Sequence, residues 1–209
     1  MSKLKVEQLL LGQVATNCYL AMNEDTKEIV IVDPADCAER IIQKVQSMGG
    51  TPVAVLLTHG HFDHIGAAED LREKYGIQIY ATEQEASILT SPQLNLSQMF
   101  GYPFTVNADV LVKDGQLLNL AGFEFTVFHT PGHTQGGACY YLKEEKVLFS
   151  GDTLFQESVG RSDFPTGSMS TLVRSIKNKL LVLPEETRVL PGHNYESTIG
   201  HEKRYNPFL

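Results

Sequence analysis

The sequence is poor in cysteine, has no excess of positive charge and contains no long hydrophobic run. Its 209 residues include only Cys18, Cys37 and Cys139. Their wide separation excludes a paired cysteine metal motif, and their odd number is typical of free thiols in a reducing cytoplasm. Lysine and arginine number 17 against 25 aspartate and glutamate residues, so the net charge is −8. This balance argues against nucleic acid or an anionic membrane surface as the main partner.

Segments for targeting or membrane insertion are also not indicated. The first ten residues, MSKLKVEQLL, carry charges and no apolar core, unlike a signal peptide. The longest uncharged stretch, residues 86–108, contains many polar side chains and two prolines, so it does not predict a membrane span. We therefore expect a cytoplasmic protein. Hydrophobic residues make up 42% of the chain, and its length predicts a single domain over residues 1–209.

Short apolar runs rich in β-branched and aromatic residues predict nine strands. They are Val6–Leu11, Cys18–Met22, Glu28–Val32, Val53–Leu57, Ile77–Ala81, Phe123–Phe128, Ala138–Leu142, Lys146–Ser150 and Arg188–Leu190. Helical patterns cover residues 38–48, 67–75, 86–89 and 169–181, and Thr82 and Glu85 have capping-box spacing before the third. Polar turns at Asn23–Lys27 and Lys143–Glu145 predict two hairpins. The pattern predicts an α/β (α+β) domain of mixed sheets with helices packed outside.

Histidines are concentrated where one predicted strand ends. The strand over Val53–Leu57 is followed directly by THGHFDHIG, residues 58–66, which contains His59, His61, Asp63 and His64. Composition alone would produce this spacing in about one chain in three thousand. The motif is therefore a specific signal for metal binding.

Three further metal-type ligands also follow strands and a glycine turn. His133 comes after Pro131-Gly132, Asp152 after Gly151, and His193 after Pro191-Gly192. Glycine permits a backbone bend that a Cβ would hinder, and strand ends are where α/β sheets hold ligands. Five histidines and two aspartates match in number two metal ions with a shared carboxylate. Imidazole and carboxylate without thiolate suit Zn²⁺, iron or Mn²⁺ and do not choose among them.

At THGHFDH, HTPGH, GD and PGH the chain resembles the metallo-β-lactamase-fold hydrolases. The resemblance runs from the strand before Asp33 through His193. It implies an αβ/βα four-layer sandwich, in which two packed mixed sheets are flanked by helices and hold the metals at one edge.

The resemblance also implies a role for each candidate ligand. One metal would be held by His59, His61 and His133, the second by Asp63, His64 and His193, and Asp152 would bridge the two. Asp33 would support the ligand loop, with a helix N-cap or turn residue as the alternative. Zinc is the preferred metal, and iron and manganese are compatible.

Within this superfamily the chain resembles short bacterial glyoxalase II-like proteins. The stretches that carry this resemblance are TNCYL (16–20), GDTLFQESVGRSDFPTG (151–167) and NPFL (206–209). It implies that Arg161 and Tyr195 contact glutathione. The sequence departs from the longer glyoxalase II enzymes at two points. Asp163 stands where those enzymes have a tyrosine that contacts substrate, and only sixteen residues follow His193. We therefore expect the C-terminal helical domain that completes their glutathione site to be missing. Thioester hydrolysis is therefore better supported than glutathione specificity.

The expected function is hydrolysis of S-acylglutathione, or a related small anionic thioester, by a metal-bridging hydroxide. Asp63 and Asp152 are the candidate catalytic carboxylates. The alternatives are a mononuclear-iron enzyme resembling persulfide dioxygenases, suggested by GRSDF at 160–164, and a non-catalytic metal-binding module. A β-lactamase is disfavoured because Asp152 stands where many of those enzymes have cysteine. The apolar segment Leu94–Phe104 could be a lid, a subunit contact or a packed loop, and the sequence does not indicate the oligomeric state.

Overall fold

The computed structural model describes residues 3–209 and contains two six-stranded mixed sheets. The first has the order β1 (Leu4–Leu11), β2 (Thr16–Asn23), β3 (Glu28–Val32), β4 (Thr51–Leu56), β5 (Gln78–Thr82) and β6 (Val110–Val112). The second contains β7 (Leu117–Leu120), β8 (Phe123–His129), β9 (Ala138–Leu142), β10 (Val147–Gly151), β13 (Arg188–Pro191) and β14 (Ser197–Thr198), in the order β14-β13-β10-β9-β8-β7. A separate hairpin joins β11 (Leu154–Phe155) and β12 (Ser158–Val159).

Short helices connect the strands. They are α1 (Ala38–Met48), α2 (Phe62–Ile65), α3 (Ala68–Tyr75), α4 (Ala86–Leu89), α5 (Met169–Ser175) and α6 (Ile199–Tyr205). A 3₁₀ turn over Glu83–Glu85 precedes α4, and a π-helical turn over Ile176–Leu180 extends α5. Across residues 3–209, no helix has the length and apolar character needed to cross a bilayer.

Alternating residues of the central strands build two of the three apolar clusters. In β3, Ile29 and Ile31 pack in the cluster that includes Ile41 of α1, whereas Val30 and Val32 lie in the cluster between the two sheets. This alternation is the two-residue period of a strand covered on both faces. A third cluster lies between the second sheet and α5. The layers are therefore helix, sheet, sheet and helix, which confirms the predicted fold class.

Most predicted elements coincide with observed ones. Each of the nine predicted strands overlaps a strand, both predicted hairpins are antiparallel pairs, and α1 has the predicted bounds. The short strands β6, β7, β11, β12 and β14 and the helices α2 and α6 were not predicted. The capping box was wrong, because the Thr82 hydroxyl donates to the Gly136 carbonyl and the Glu85 side chain is buried elsewhere.

Candidate metal centre

The candidate ligands meet at one edge of the sandwich, where strands of both sheets end. His59 follows β4 of the first sheet, and His133, Asp152 and His193 follow β8, β10 and β13 of the second. The Asp152 side chain lies so close to the backbone of Gly192 that only glycine fits before His193. A Cβ at this position would lie 2.3 Å from Asp152 Oδ1. The structure thus brings together all seven side chains that the sequence analysis singled out.

Three buried histidines form the first group of donor atoms. The Nε2 atom of His133 lies 2.9 Å from Nδ1 of His61 and 3.2 Å from Nε2 of His59. Each of the three side chains is almost fully buried. One ring nitrogen from each histidine therefore points to a common centre.

Hydrogen bonds at the opposite ring nitrogens fix which atoms carry lone pairs. His133 Nδ1 donates to the carbonyl of Arg161 at 2.7 Å. The Thr58 hydroxyl donates to Asp33 at 2.6 Å, so its oxygen is free to accept from Nδ1 of His59 at 3.2 Å. The Nε2 atoms of His59 and His133 then face each other as acceptors, an arrangement that a shared cation stabilises.

The second group combines a carboxylate with two histidines. Asp63 Oδ2 lies 3.5 Å from His64 Nε2 and 3.3 Å from His193 Nε2. The Thr16 hydroxyl donates to the same Asp63 oxygen at 2.8 Å, which holds the carboxylate in place. These three side chains offer one oxygen and two nitrogens to a second centre.

Asp152 lies between the two groups. Its carboxylate oxygens are 3.6 Å from His133 Nε2, 3.4 Å from His64 Nε2 and 3.5 Å from His193 Nε2. Among residues 3–209, neither His64 Nε2 nor Asp152 Oδ1 has a hydrogen-bond partner although both atoms are buried. Buried polar atoms without partners are costly unless a ligand or water satisfies them. The arrangement of these donors therefore fits divalent metal ions.

Asp33 connects the ligand loop to the second group. Its carboxylate accepts from the backbone N–H of Thr58 at 2.7 Å and from the Thr58 hydroxyl. It also contacts His64 Nδ1 at 2.8 Å, so the opposite nitrogen of that ring faces the centre. The N-cap of the next helix is Cys37 rather than Asp33. These contacts are the ones expected of a residue that orients a metal-binding histidine.

Charge differs between the two groups in the metal-free protein. Burial and the neighbouring His133 lower the pKa of His61 to about 3, so this ring is neutral, as a metal ligand must be. Burial also opposes a charge on His64, but the carboxylates of Asp63, Asp152 and Asp33 outweigh it and raise its pKa. Burial opposes ionisation of Asp63, yet His64 and the hydrogen bond with His193 lower its pKa to about 2. The second group therefore holds charges of both signs.

A largely apolar cavity of about 420 Å³ opens onto the donor atoms. Its wall includes Phe62, Phe100, Phe155 and Phe164, and the rings of Phe62 and Phe100 stack with centroids 4.1 Å apart. Phe100 belongs to the segment Leu94–Phe104, which contains turns and neither helix nor strand. This segment therefore contributes to the wall of the cavity, a position that the sequence analysis did not predict.

The two candidate substrate residues differ in position. Arg161 lines the cavity, but one edge of its guanidinium is paired, because Nε and Nη2 donate to the two oxygens of the Asp163 carboxylate, at 2.9 and 2.7 Å. Tyr195 is 78% exposed, and the cavity wall beside it is formed by Asn194. The structure therefore brings Arg161 to the cavity and leaves Tyr195 at the surface.

Sequence reasoning missed several residues that support the ligands. Thr16 lies in TNCYL and Thr58 is the first residue of the histidine motif, but neither was expected to support a ligand. Glu85 accepts hydrogen bonds from two ligand loops, but its spacing from Thr82 predicts helix capping. No local signal marks such contacts, because the bonded residues are far apart in the chain.

A four-layer sandwich with histidine and aspartate donors at one sheet edge defines a protein built to bind divalent metal ions. A sequence profile of the Metallo-beta-lactamase superfamily matches residues 11–193. The chain therefore belongs to this superfamily, whose members are generally hydrolytic metalloenzymes.

Individual relatives match over nearly their whole length. Hydroxyacylglutathione hydrolase GloC of Haemophilus influenzae is 39% identical over 212 residues, covering 99% of this chain and 98% of the relative. The structure of BLEG-1 B3 metallo-beta-lactamase superimposes with a TM-score of 0.94 at 46% identity, covering 98% of this chain and 99% of that one. The structure of TTHA1623 in a di-iron-bound form superimposes with a TM-score of 0.86 at 36% identity, covering 97% of this chain and 100% of that one. These matches confirm the predicted superfamily and fold.

Proposed function

We propose that the protein is a binuclear metallohydrolase that cleaves S-acylglutathione or a related small anionic thioester. The observation that carries the proposal is the position of Asp152, within 3.6 Å of histidines from both donor groups. A carboxylate shared between two three-residue groups is suited to hold a pair of ions. The thioester class is supported by the similarity to a hydroxyacylglutathione hydrolase over nearly the whole chain.

We propose two divalent ions per chain, with zinc as the preferred metal. Imidazole and carboxylate donors suit zinc, iron and manganese alike. A neighbouring structure of the same fold carries two irons, which supports iron as the main competitor. One ion would be held by His59, His61 and His133, and the other by Asp63, His64 and His193. Asp152 would contact both ions.

When bound, such ions lower the pKa of a coordinated water toward ~7 and polarise a carbonyl oxygen. The protein itself contributes position and environment. The Thr16 hydroxyl keeps one Asp63 oxygen fixed, Asp33 sets the orientation of His64, and phenylalanine side chains give the adjoining cavity a largely apolar wall. A thiolate leaves without being protonated first, so the reaction requires no strong general acid.

Arg161 is proposed to contact the anionic thiol portion of the substrate. It stands at the cavity wall, and its pairing with Asp163 means that a substrate carboxylate must compete for the Nε and Nη2 edge of the guanidinium or bind more weakly at Nη1 alone. We expect weak selection for glutathione over other thiols as a result. The predicted contact of Tyr195 with substrate would require a substrate that extends beyond the cavity to the surface.

Hydrolysis of β-lactams is a second candidate function. It is favoured by the 46% identity to BLEG-1 B3 metallo-beta-lactamase across nearly the whole chain. The two candidate functions are separated by assay.

The test is a substrate panel on protein purified without oxygen and analysed for metal content. We expect S-lactoylglutathione to be hydrolysed faster than a chromogenic cephalosporin, and no oxygen to be consumed with glutathione persulfide. Faster cephalosporin turnover would favour the second candidate. Oxygen consumption with a single iron per chain would favour the dioxygenase-like alternative, and a metal-loaded protein inert toward the panel would favour a binding module.

A further inference from the structure

Glu85 is a buried carboxylate beside the candidate metal centre. It ends the 3₁₀ turn that follows β5, and its side chain is 1% exposed. One oxygen, Oε1, accepts from the backbone N–H of Gly60 at 2.7 Å. The other, Oε2, accepts from the hydroxyl of Thr134 at 2.9 Å.

The two partners of Glu85 are the chain neighbours of three candidate ligands. Gly60 lies between His59 and His61, and Thr134 follows His133. The first loop leaves β4 of one sheet and the second leaves β8 of the other. A single carboxylate thus links the loops that carry every member of the three-histidine group.

The second donor group is held by other residues. Asp33 contacts His64, and the Thr16 hydroxyl contacts Asp63. Asp63 and His64 share the loop of Gly60 but lie three and four residues beyond it. The two hydrogen bonds of Glu85 go instead to residues directly adjacent to the three histidines. Its removal should therefore affect one group more than the other.

Packing around Glu85 leaves little room for a substitute contact. A Cβ on Gly136 would lie 2.3 Å from the Glu85 backbone nitrogen and 2.5 Å from Oε2. A Cβ on Gly60 would lie 3.1 Å from both Ile88 and Leu89 of α4. The loops are therefore closely packed on this turn, and donors deprived of Glu85 would be left buried without an acceptor.

We propose that Glu85 is a positioning residue for the three-histidine metal site, fixing the relative placement of its two ligand loops. The proposal rests on the ligand set given under the proposed function. Hydrogen-bonded groups that orient metal ligands typically change metal affinity 10–100-fold when removed. We expect a loss of that size at the three-histidine site only.

The test measures metal affinity at each site by titrating metal-free protein with zinc against a competing chelator. His133→Ala and His193→Ala, each lacking a ligand of one group, assign the two affinities. Glu85→Ala should weaken the site that His133→Ala weakens by about 10–100-fold and leave the other within about threefold. Absorption spectra of the cobalt-substituted protein should change in the same site-selective way.

Two milder variants keep the test decisive if Glu85→Ala folds poorly. Thr134→Val removes only one of the two hydrogen bonds and should produce a smaller loss at the same site. Glu85→Gln keeps the shape, since its amide can accept from Gly60 and donate to the Thr134 oxygen, and should recover most of the affinity.

A second buried carboxylate provides the matched control. Glu202 is fully buried and accepts from the backbone N–H of Glu157, from Asn206 and from the hydroxyl of Ser197. None of these partners is adjacent in the chain to a candidate ligand. Glu202→Gln and Glu202→Ala should lower the melting temperature without a site-selective change in zinc affinity.

Wild-type affinity at both sites in Glu85→Ala would overturn the inference, as would an equal loss at both sites matched by Glu202→Ala. If the wild type binds a single ion, the proposed ion pair is wrong. In that case Glu85→Ala should still weaken the affinity for the single ion by at least about tenfold. An unchanged affinity there would refute the inference separately.

Discussion

Replacement of Asp33 by alanine tests how the ligand loop is held. The carboxylate accepts from the Thr58 backbone N–H at 2.7 Å and from its hydroxyl at 2.6 Å. It contacts His64 Nδ1 at 2.8 Å, and the side chain is 2% exposed. Alanine leaves these groups buried without their acceptor, and each such loss costs about 1–3 kcal/mol.

The expected loss of unfolding free energy in Asp33→Ala is about 3–5 kcal/mol, the range found when one partner of a buried pair is removed. Urea denaturation of chelator-treated protein measures it directly, because metal binding then adds nothing to stability. Asp70→Asn, at an exposed position in α3, is the control and should change stability by less than about 0.5 kcal/mol. A loss below about 1 kcal/mol in Asp33→Ala, with an unchanged denaturant slope, would refute the reasoning.

Three further outcomes follow from the same geometry. Asp152→Ala removes the shared carboxylate, so thioester hydrolysis should fall at least about 100-fold; undiminished turnover would exclude a bridging role. Asp163→Asn releases Arg161 and should lower KM for S-lactoylglutathione severalfold without changing KM for an uncharged thioester, and equal effects on both would contradict the pairing argument. In metal-free protein the pKa of Asp63 is lowered to about 2. The ionised Asp63 carboxylate therefore contributes on the order of 2 kcal/mol to the free energy of unfolding. This contribution is complete above the pKa of about 3.9 that aspartate has in the unfolded chain, and it is lost as the pH falls toward 2. Asp63→Asn should flatten this acid limb of stability in urea denaturation at pH 5, 4 and 3.

The ligands could be predicted from sequence because they follow strands. Four of them lie within one short motif after β4, and the other three each follow a strand and a glycine turn. Carboxyl ends of strands gather at sheet edges, so periodicity alone indicated that these side chains would approach one another.

Supporting contacts could not be predicted in the same way. Glu85 is bonded to residues 25 and 49 positions away, and its spacing from Thr82 fits a helix cap equally well. The pairing of Arg161 with Asp163 depends on the local loop conformation, which periodicity does not describe. Strands as short as β11, with two residues, offer too few positions for an alternating pattern.

The number of metal ions per chain tests the central claim most directly. Elemental analysis of protein purified without oxygen, after dialysis against metal-free buffer, should give two divalent ions per chain in the wild type. A content of zero or one, persisting after incubation with excess zinc, would contradict a site in which two donor groups share Asp152.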